Sequence, residues 1–202
     1  ARLVAEMNPS QARAEAASAV AQKWFPDSHS GKPVAPESIA WLSGLDADCV
    51  RRVLEQVRWQ WSNSDPKSMA AFLASPAGEQ VPVDVYSGLA RDMARKNPSE
   101  ALEWANRLPE NRGLPAGSDA FSEWRRSQPE TAMQWLRELP STDARRLPFF
   151  QSAIRSMAND PRAAEQLAAM TATDRATARS VIETMSLPED RRARLLDVIR
   201  QR

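Results

Sequence analysis

The sequence predicts an all-α protein, an α-solenoid of tandem antiparallel helical hairpins with a period of about 31 residues and roughly 10–12 helices. Three observations predict it. A proline preceded by a small polar or acidic residue recurs as Asp65-Pro66, Asn97-Pro98, Gln128-Pro129 and Asp160-Pro161, at intervals of 32, 31 and 32 residues. Apolar residues between these prolines fall at helical spacing, three or four apart. Runs of β-branched residues are missing, and Gln80 to Val85 is the only stretch that reads as a strand candidate.

The elements follow in order. A first helix spans about Pro9 to Trp24, and the Gly-, Ser- and Pro-rich stretch from Phe25 to Ala35 links it to the rest. Short helices open at Pro36, Pro66, Pro98, Pro129 and Pro161. Asp or Asn before Pro is a good N-cap, and Pro suits the first helical position because its missing N–H has no partner there. Glu100 and Glu130 then stand in first turns, where the helix dipole favours acids. Longer second helices span Asp48 to Trp61, Asp84 to Arg95, Ser118 to Arg126, Asp143 to Ala158 and Asp174 to Met185, and Pro188 to Ile199 closes the chain. Pro148 marks a kink or a late start in the fourth of these. Pro109 to Gly117, with two glycines, reads as a loop. Residues 1–30 are expected as an N-terminal capping helix with its linker, 31–187 as the repeat domain and 188–202 as a C-terminal capping helix.

Within the unit, the positions three, six and ten after the proline lie on one stripe. The third is small or slender (Met69, Ala101, Ala132, Ala164) and the sixth is large (Phe72, Trp104, Trp135, Leu167). Leu108-Pro109 and Leu139-Pro140 end the two clearest copies, and Trp41 fills the corresponding aromatic place after Pro36, with one residue deleted. Echoes at Asn8-Pro9 and Pro188 extend the register at shortened spacing. Asp/Asn-Pro-x-x-Ala-x-x-Trp resembles the junction of tetratricopeptide repeats, and is similar to bacterial proteins built on Trp-x-x-x-Asp-Pro-x-x-Ala-x-x-Trp units. The resemblance covers Pro36 to Met185. It implies a role in binding a protein or peptide on a concave face.

Composition narrows the function classes. The 27 basic and 26 acidic residues nearly cancel, at a net charge of +1, which gives no bulk attraction to a polyanion. No apolar run reaches the length of a membrane span. A single cysteine, Cys49, excludes an internal disulfide and a cysteine-based zinc site. Arginine far outnumbers lysine and alanine is abundant, as in GC-rich bacterial genomes. The chain begins at Ala1, as a processed mature form or an excised piece would, and is expected to be bacterial, exported rather than cytoplasmic.

No catalytic constellation stands out. His29 is the sole histidine, in the linker with no second ligand near it in sequence. Cys49 has no base to activate it and sits on an apolar stripe with Val53, so it reads as a buried thiol. Glu189-Asp190 are adjacent on a helix and do not face each other. No cofactor and no metal are implied, and no enzyme activity is expected.

The candidate contacts are aromatic and cationic. Trp59 and Trp61 are two apart in one helix and cannot share a core face, so one of them is expected to be exposed. Trp59, flanked by Arg51, Arg52 and Arg58, is the leading candidate for a partner contact, with Trp24 second. Arginine pairs recur at 51–52, 125–126, 145–146 and 191–192, and Arg125 with Arg126 joins the candidate set. The expected function is a protein- or peptide-binding scaffold, adaptor or assembly chaperone. The alternatives are a nucleic-acid-binding helical repeat using the arginine pairs, and an accessory or regulatory domain of a larger enzyme or secretion system.

Overall fold

A computed structural model describes residues 11–27, 32–140, 142–157, 163–168 and 170–200. Every regular element among them is helical. The α-helices are α1 (Gln11–Trp24), α2 (Pro36–Ser43), α3 (Ala47–Ser64), α4 (Pro66–Leu73), α5 (Val83–Lys96), α6 (Pro98–Arg107), α7 (Glu110–Ser127), α8 (Pro129–Glu138), α9 (Arg146–Met157), α10 (Ala163–Ala168), α11 (Ala172–Thr184) and α12 (Glu189–Arg200). Pro76–Gln80 adds a 3₁₀ turn. The stretch from Gln80 to Val85, the one strand candidate, instead ends that turn and begins α5, with the Val85 N–H donating to the Pro82 carbonyl at 3.1 Å. The Asn8-Pro9 echo, His29 and the Asp160-Pro161 marker lie outside the described residues.

The prolines at 36, 66, 98 and 129 are each the first residue of a helix. The residue before three of them has two duties. Asp65, Asn97 and Gln128 close the preceding helix, their N–H groups donating to Trp61, Met93 and Trp124 carbonyls at 2.9, 2.8 and 2.8 Å. Each then starts the next helix without a further loop residue. Asp65 Oδ1 accepts the Ser68 N–H at 3.1 Å and Asn97 Oδ1 accepts the Glu100 N–H at 3.3 Å, as N-caps do. The three junction residues share a backbone shape, with φ −148°, −148° and −139° and ψ 70°, 95° and 71°.

The chain divides into two compact units, one through Ala120 and one from Phe121, with the division inside α7. Within them α1 lies along α3, and α12 packs on α10 and α11.

In the first unit, Trp61 is fully buried, 5.0 Å from the Phe25 ring and 5.3 Å from Phe72, and its Nε1 donates to Ser68 Oγ at 2.7 Å. Tyr86 stacks on Trp104 with centroids 6.3 Å apart. The Tyr86 hydroxyl reaches the carbonyls of Gly78 and Leu73 at 2.6 and 2.9 Å, tying the 3₁₀ turn to the end of α4. Gly78 is required there, since a Cβ would lie 2.2 Å from the Leu73 carbonyl oxygen. In the second unit Phe121, Trp124, Trp135 and Phe149 form one aromatic cluster with centroid separations of 5.5–6.0 Å.

The stripe predicted three and six residues after each proline is buried at Met69, Phe72, Ala101, Trp104, Ala132 and Leu167, with Trp135 half-buried. Ala164 departs from it. It is exposed, and its neighbour Ala163 takes the inward place.

The expected loop from Pro109 to Gly117 is helix. The Pro109 carbonyl accepts the Arg112 and Gly113 N–H groups at 2.9 and 2.8 Å, so α7 starts where α6 has barely ended. Gly113 serves closeness and not looseness, because a Cβ there would come within 2.5 Å of the Ala105 carbonyl oxygen of α6. Pro115 falls in the second turn of α7, where it removes one backbone donor and the helix continues. Pro148 is in the first turn of α9, the late-start alternative.

Candidate interaction grooves

The two tryptophans of α3 separate as helix geometry requires: Trp61 is 0% exposed and Trp59 is 59% exposed. Arg51 and Arg52 are exposed on the same helix, and each has a carboxylate three residues away, Asp48 at 3.1 Å and Glu55 at 3.0 Å. A cleft of about 540 Å³ between α1 and α3 is lined by these four side chains together with Glu15 and Asp46. Its four carboxylates outnumber its two guanidiniums, so it presents no cationic surface. Arg58 is half-buried, its guanidinium lying over Gly88 of α5, where an added Cβ would come within 2.4 Å of Nη1. Trp24 is 40% exposed, with its ring 5.5 Å from Trp41.

The pair at 125–126 does not stand on the surface as a unit. Arg125 is buried, at 3% exposure, and its Nη1 donates to Gln166 Oε1 at 3.0 Å. Arg126 turns outward and pairs with Glu123 at 2.5 Å. The remaining pairs are also held locally: Arg145 by Asp143 at 2.5 Å, Arg192 by Glu189 at 3.3 Å, and Arg146 through its bond to the Leu139 carbonyl. Arg51, Arg52, Arg126, Arg145 and Arg192 thus each meet a carboxylate within three residues, whereas Arg125 and Arg146 are held by a neutral amide and a neutral carbonyl.

Cys49 is buried at the start of α3, behind Asp46, which accepts the Cys49 N–H at 3.0 Å. Burial and the hydrogen bond to Asp46 push the thiol up to about 11. The same Cys49 N–H holds the Asp46 carboxyl below its ordinary value, with Arg13 adding to the effect at 3.0 Å. A thiol raised in this way is the opposite of a nucleophile's. Among the described residues no group of three or more His, Cys, Asp and Glu side chains is arranged to hold a metal ion, and no helix is long and apolar enough to cross a membrane.

Two further grooves lie elsewhere. A groove of about 610 Å³ runs between α4 and α6, with Ala70, Ala71, Ala74, Met93, Trp104 and Leu108 as its apolar walls and Lys67, Glu100 and Arg107 at its edges. Another, of about 250 Å³, lies between α8 and α10 over Met133, Met157 and Met170. Both are formed between successive short helices of the proline register, and both draw on the same positions in it. The first helix contributes the residues one, four and eight after its proline: Lys67, Ala70 and Ala74 in one groove, Glu130, Met133 and Arg137 in the other. The second helix, with the turn that follows it, contributes those five and nine after: Glu103 and Arg107, and Gln166 and Met170.

Sequence reasoning passed over these residues because it followed the buried stripe at three, six and ten. The grooves use the flank of that stripe. The proline register was the signal that could have found them, since residues at equal distances from the prolines fall on corresponding flanks in both grooves. Compared with protein-family models, curated proteins and solved structures, the chain matches none.

Proposed function

We propose that the chain is a non-enzymatic protein-interaction module, a tetratricopeptide-like helical repeat of about 31 residues per unit that binds peptide segments of a partner between successive proline-opened helices. One observation carries the reading: two grooves, one in each unit, are lined from the same register positions of different copies. A surface that recurs with the repeat is what an interaction solenoid uses, and helix pairs with an apolar floor and a polar rim suit an extended or helical peptide. The nucleic-acid alternative has less behind it, because five of the paired arginines already meet a carboxylate within three residues.

Selection of peptides from a display library on the full chain tests the proposal. Selected peptides are expected to bind wild type and to weaken at least about tenfold, close to 1.4 kcal/mol, on a variant that fills a groove. Ala71→Arg with Ala74→Arg fills the first from exposed positions, and Glu165→Trp overlays the second. Failure to select any peptide, or selected peptides indifferent to both variants, overturns it.

A further inference from the structure

We propose that the groove between α8 and α10 takes a basic peptide segment with an apolar anchor, an inference that rests on the reading of the grooves as peptide sites. Its floor is three buried methionines, Met133, Met157 and Met170. Unbranched thioether side chains repack around anchors of different shape, so the floor asks for an apolar side chain without fixing which. The rim supplies the sign of charge. Glu130 and Glu165 are both exposed, and neither has an ion-pair partner among the described residues. The neighbouring cations are already engaged. Arg137 Nε donates to the buried Asp174 carboxylate at 2.8 Å, and Arg125 is buried with its Nη1 on Gln166 Oε1.

An occupant therefore meets, above an apolar floor, two carboxylates that no cation among the described residues compensates. A Lys or Arg on either side of the anchor neutralises them, whereas an acidic segment is repelled. The groove between α4 and α6 provides the contrast within the same chain. There Lys67 stands in the register position of Glu130 and Ala70 in that of Met133, and the rim glutamates Glu100 and Glu103 are balanced by Lys67 and by Arg107, which pairs with Glu103 at 3.3 Å, so neither the net acidic rim nor the three-methionine floor recurs.

The test uses the full chain and two fluorescent peptides, each with a Leu-Leu centre, one flanked by lysines and the other by glutamates. Anisotropy at low salt is read on wild type and on the double variant Glu130→Lys/Glu165→Lys, whose exposed sites leave the fold intact, as helical circular dichroism checks. The lysine peptide is expected to bind wild type and to weaken about tenfold or more on the double variant, while the glutamate peptide gains. Equal affinity of the lysine peptide for both proteins overturns the inference. So does a glutamate peptide that binds wild type as tightly, or no binding of either peptide. A wild-type dimer that the double variant converts to monomer in sedimentation assigns the groove to a second copy, which also overturns it. Display-selected peptides that occupy the groove without an excess of Lys or Arg overturn the basic specificity and leave the peptide-binding reading standing. Failure to select any peptide removes both.

Discussion

Replacing Trp61 by Ala removes the centre of the first unit's core, whereas the same change at Trp59, two residues earlier, touches mostly solvent. The structure sets the size of the difference. Trp61 is fully buried, edge-on to Phe25 and tilted against Phe72, and its Nε1 donates to Ser68. Withdrawing about 200 Å² of ring from water is worth about 5 kcal/mol at about 25 cal/mol per Å². The Ser68 bond adds about 1 kcal/mol. Partial collapse of the cavity returns some of this, so the expected loss is about 3–5 kcal/mol. Trp59, at 59% exposure, should lose less than about 1 kcal/mol. Urea unfolding followed at the helical circular-dichroism minimum reads the difference. With a slope of about 2 kcal/mol per M, Trp61→Ala moves the midpoint of the first unit down by about 2 M, and Trp59→Ala leaves it nearly in place. Hydrogen exchange assigns the transition to its unit. Equal shifts for the two variants, or a Trp61→Ala midpoint at the wild-type value, would refute the assignment of inward and outward faces on α3.

Three further outcomes are expected. Tyr86→Phe strips the hydroxyl from the Leu73 carbonyl at the end of α4 and the Gly78 carbonyl within the 3₁₀ turn, and should cost about 1–3 kcal/mol in thermal melts; an unchanged melting temperature would show that the Gly78 and Leu73 carbonyls find other donors. Cys49, its thiol raised from 9.0 to about 11, holds about 100-fold less thiolate than a free cysteine at neutral pH. A disulfide reagent should modify it at a small fraction of the rate seen in urea, and labelling at the unfolded rate would contradict its burial. Asp46 and Asp143 are both lowered from 3.8, Asp46 mainly by the Cys49 N–H and Asp143 mainly by the Arg145 side chain. Their folded values lie below the unfolded one, so the stability they add is present above about pH 4 and is lost as pH falls through the folded values. Asp46→Asn with Asp143→Asn should lower the neutral melting temperature and flatten its decline in acid, and a parallel decline in both proteins would rule this out.

What the sequence made legible was whatever a helix repeats. The proline starts follow from local chemistry, because Pro66, Pro98 and Pro129 each occupy a first position where no N–H is needed, and the Trp59–Trp61 opposition follows from the rotation between alternate residues. Features that depend on a neighbour were harder to read. Gly113 looks like a loop residue in sequence, yet its missing side chain lets α7 start against the Ala105 carbonyl. Arg125 reads as a surface charge until Gln166, forty-one residues on, receives its guanidinium. Ala164 keeps the register in sequence, but Ala163 takes the buried place. Both grooves belong to this second class. Each wall is an ordinary helix flank, and the concavity exists only once two such flanks are set side by side.

The one-residue junctions at Asp65, Asn97 and Gln128 also constrain how such a chain can vary. A residue inserted into a helix turns everything after it by about 100°, and a conventional loop absorbs that error as slack. A joint consisting of one residue has none. An insertion beside Asp65 would either break the bond from its N–H to Trp61 or rotate Met69 and Phe72 off the core and swing Ala70 and Ala74 out of their groove. Length variation is thereby pushed to the connections that are not so joined, such as the one between α8 and α9. The spacing of the groove-lining residues along the chain is fixed by the same joints that fix the core.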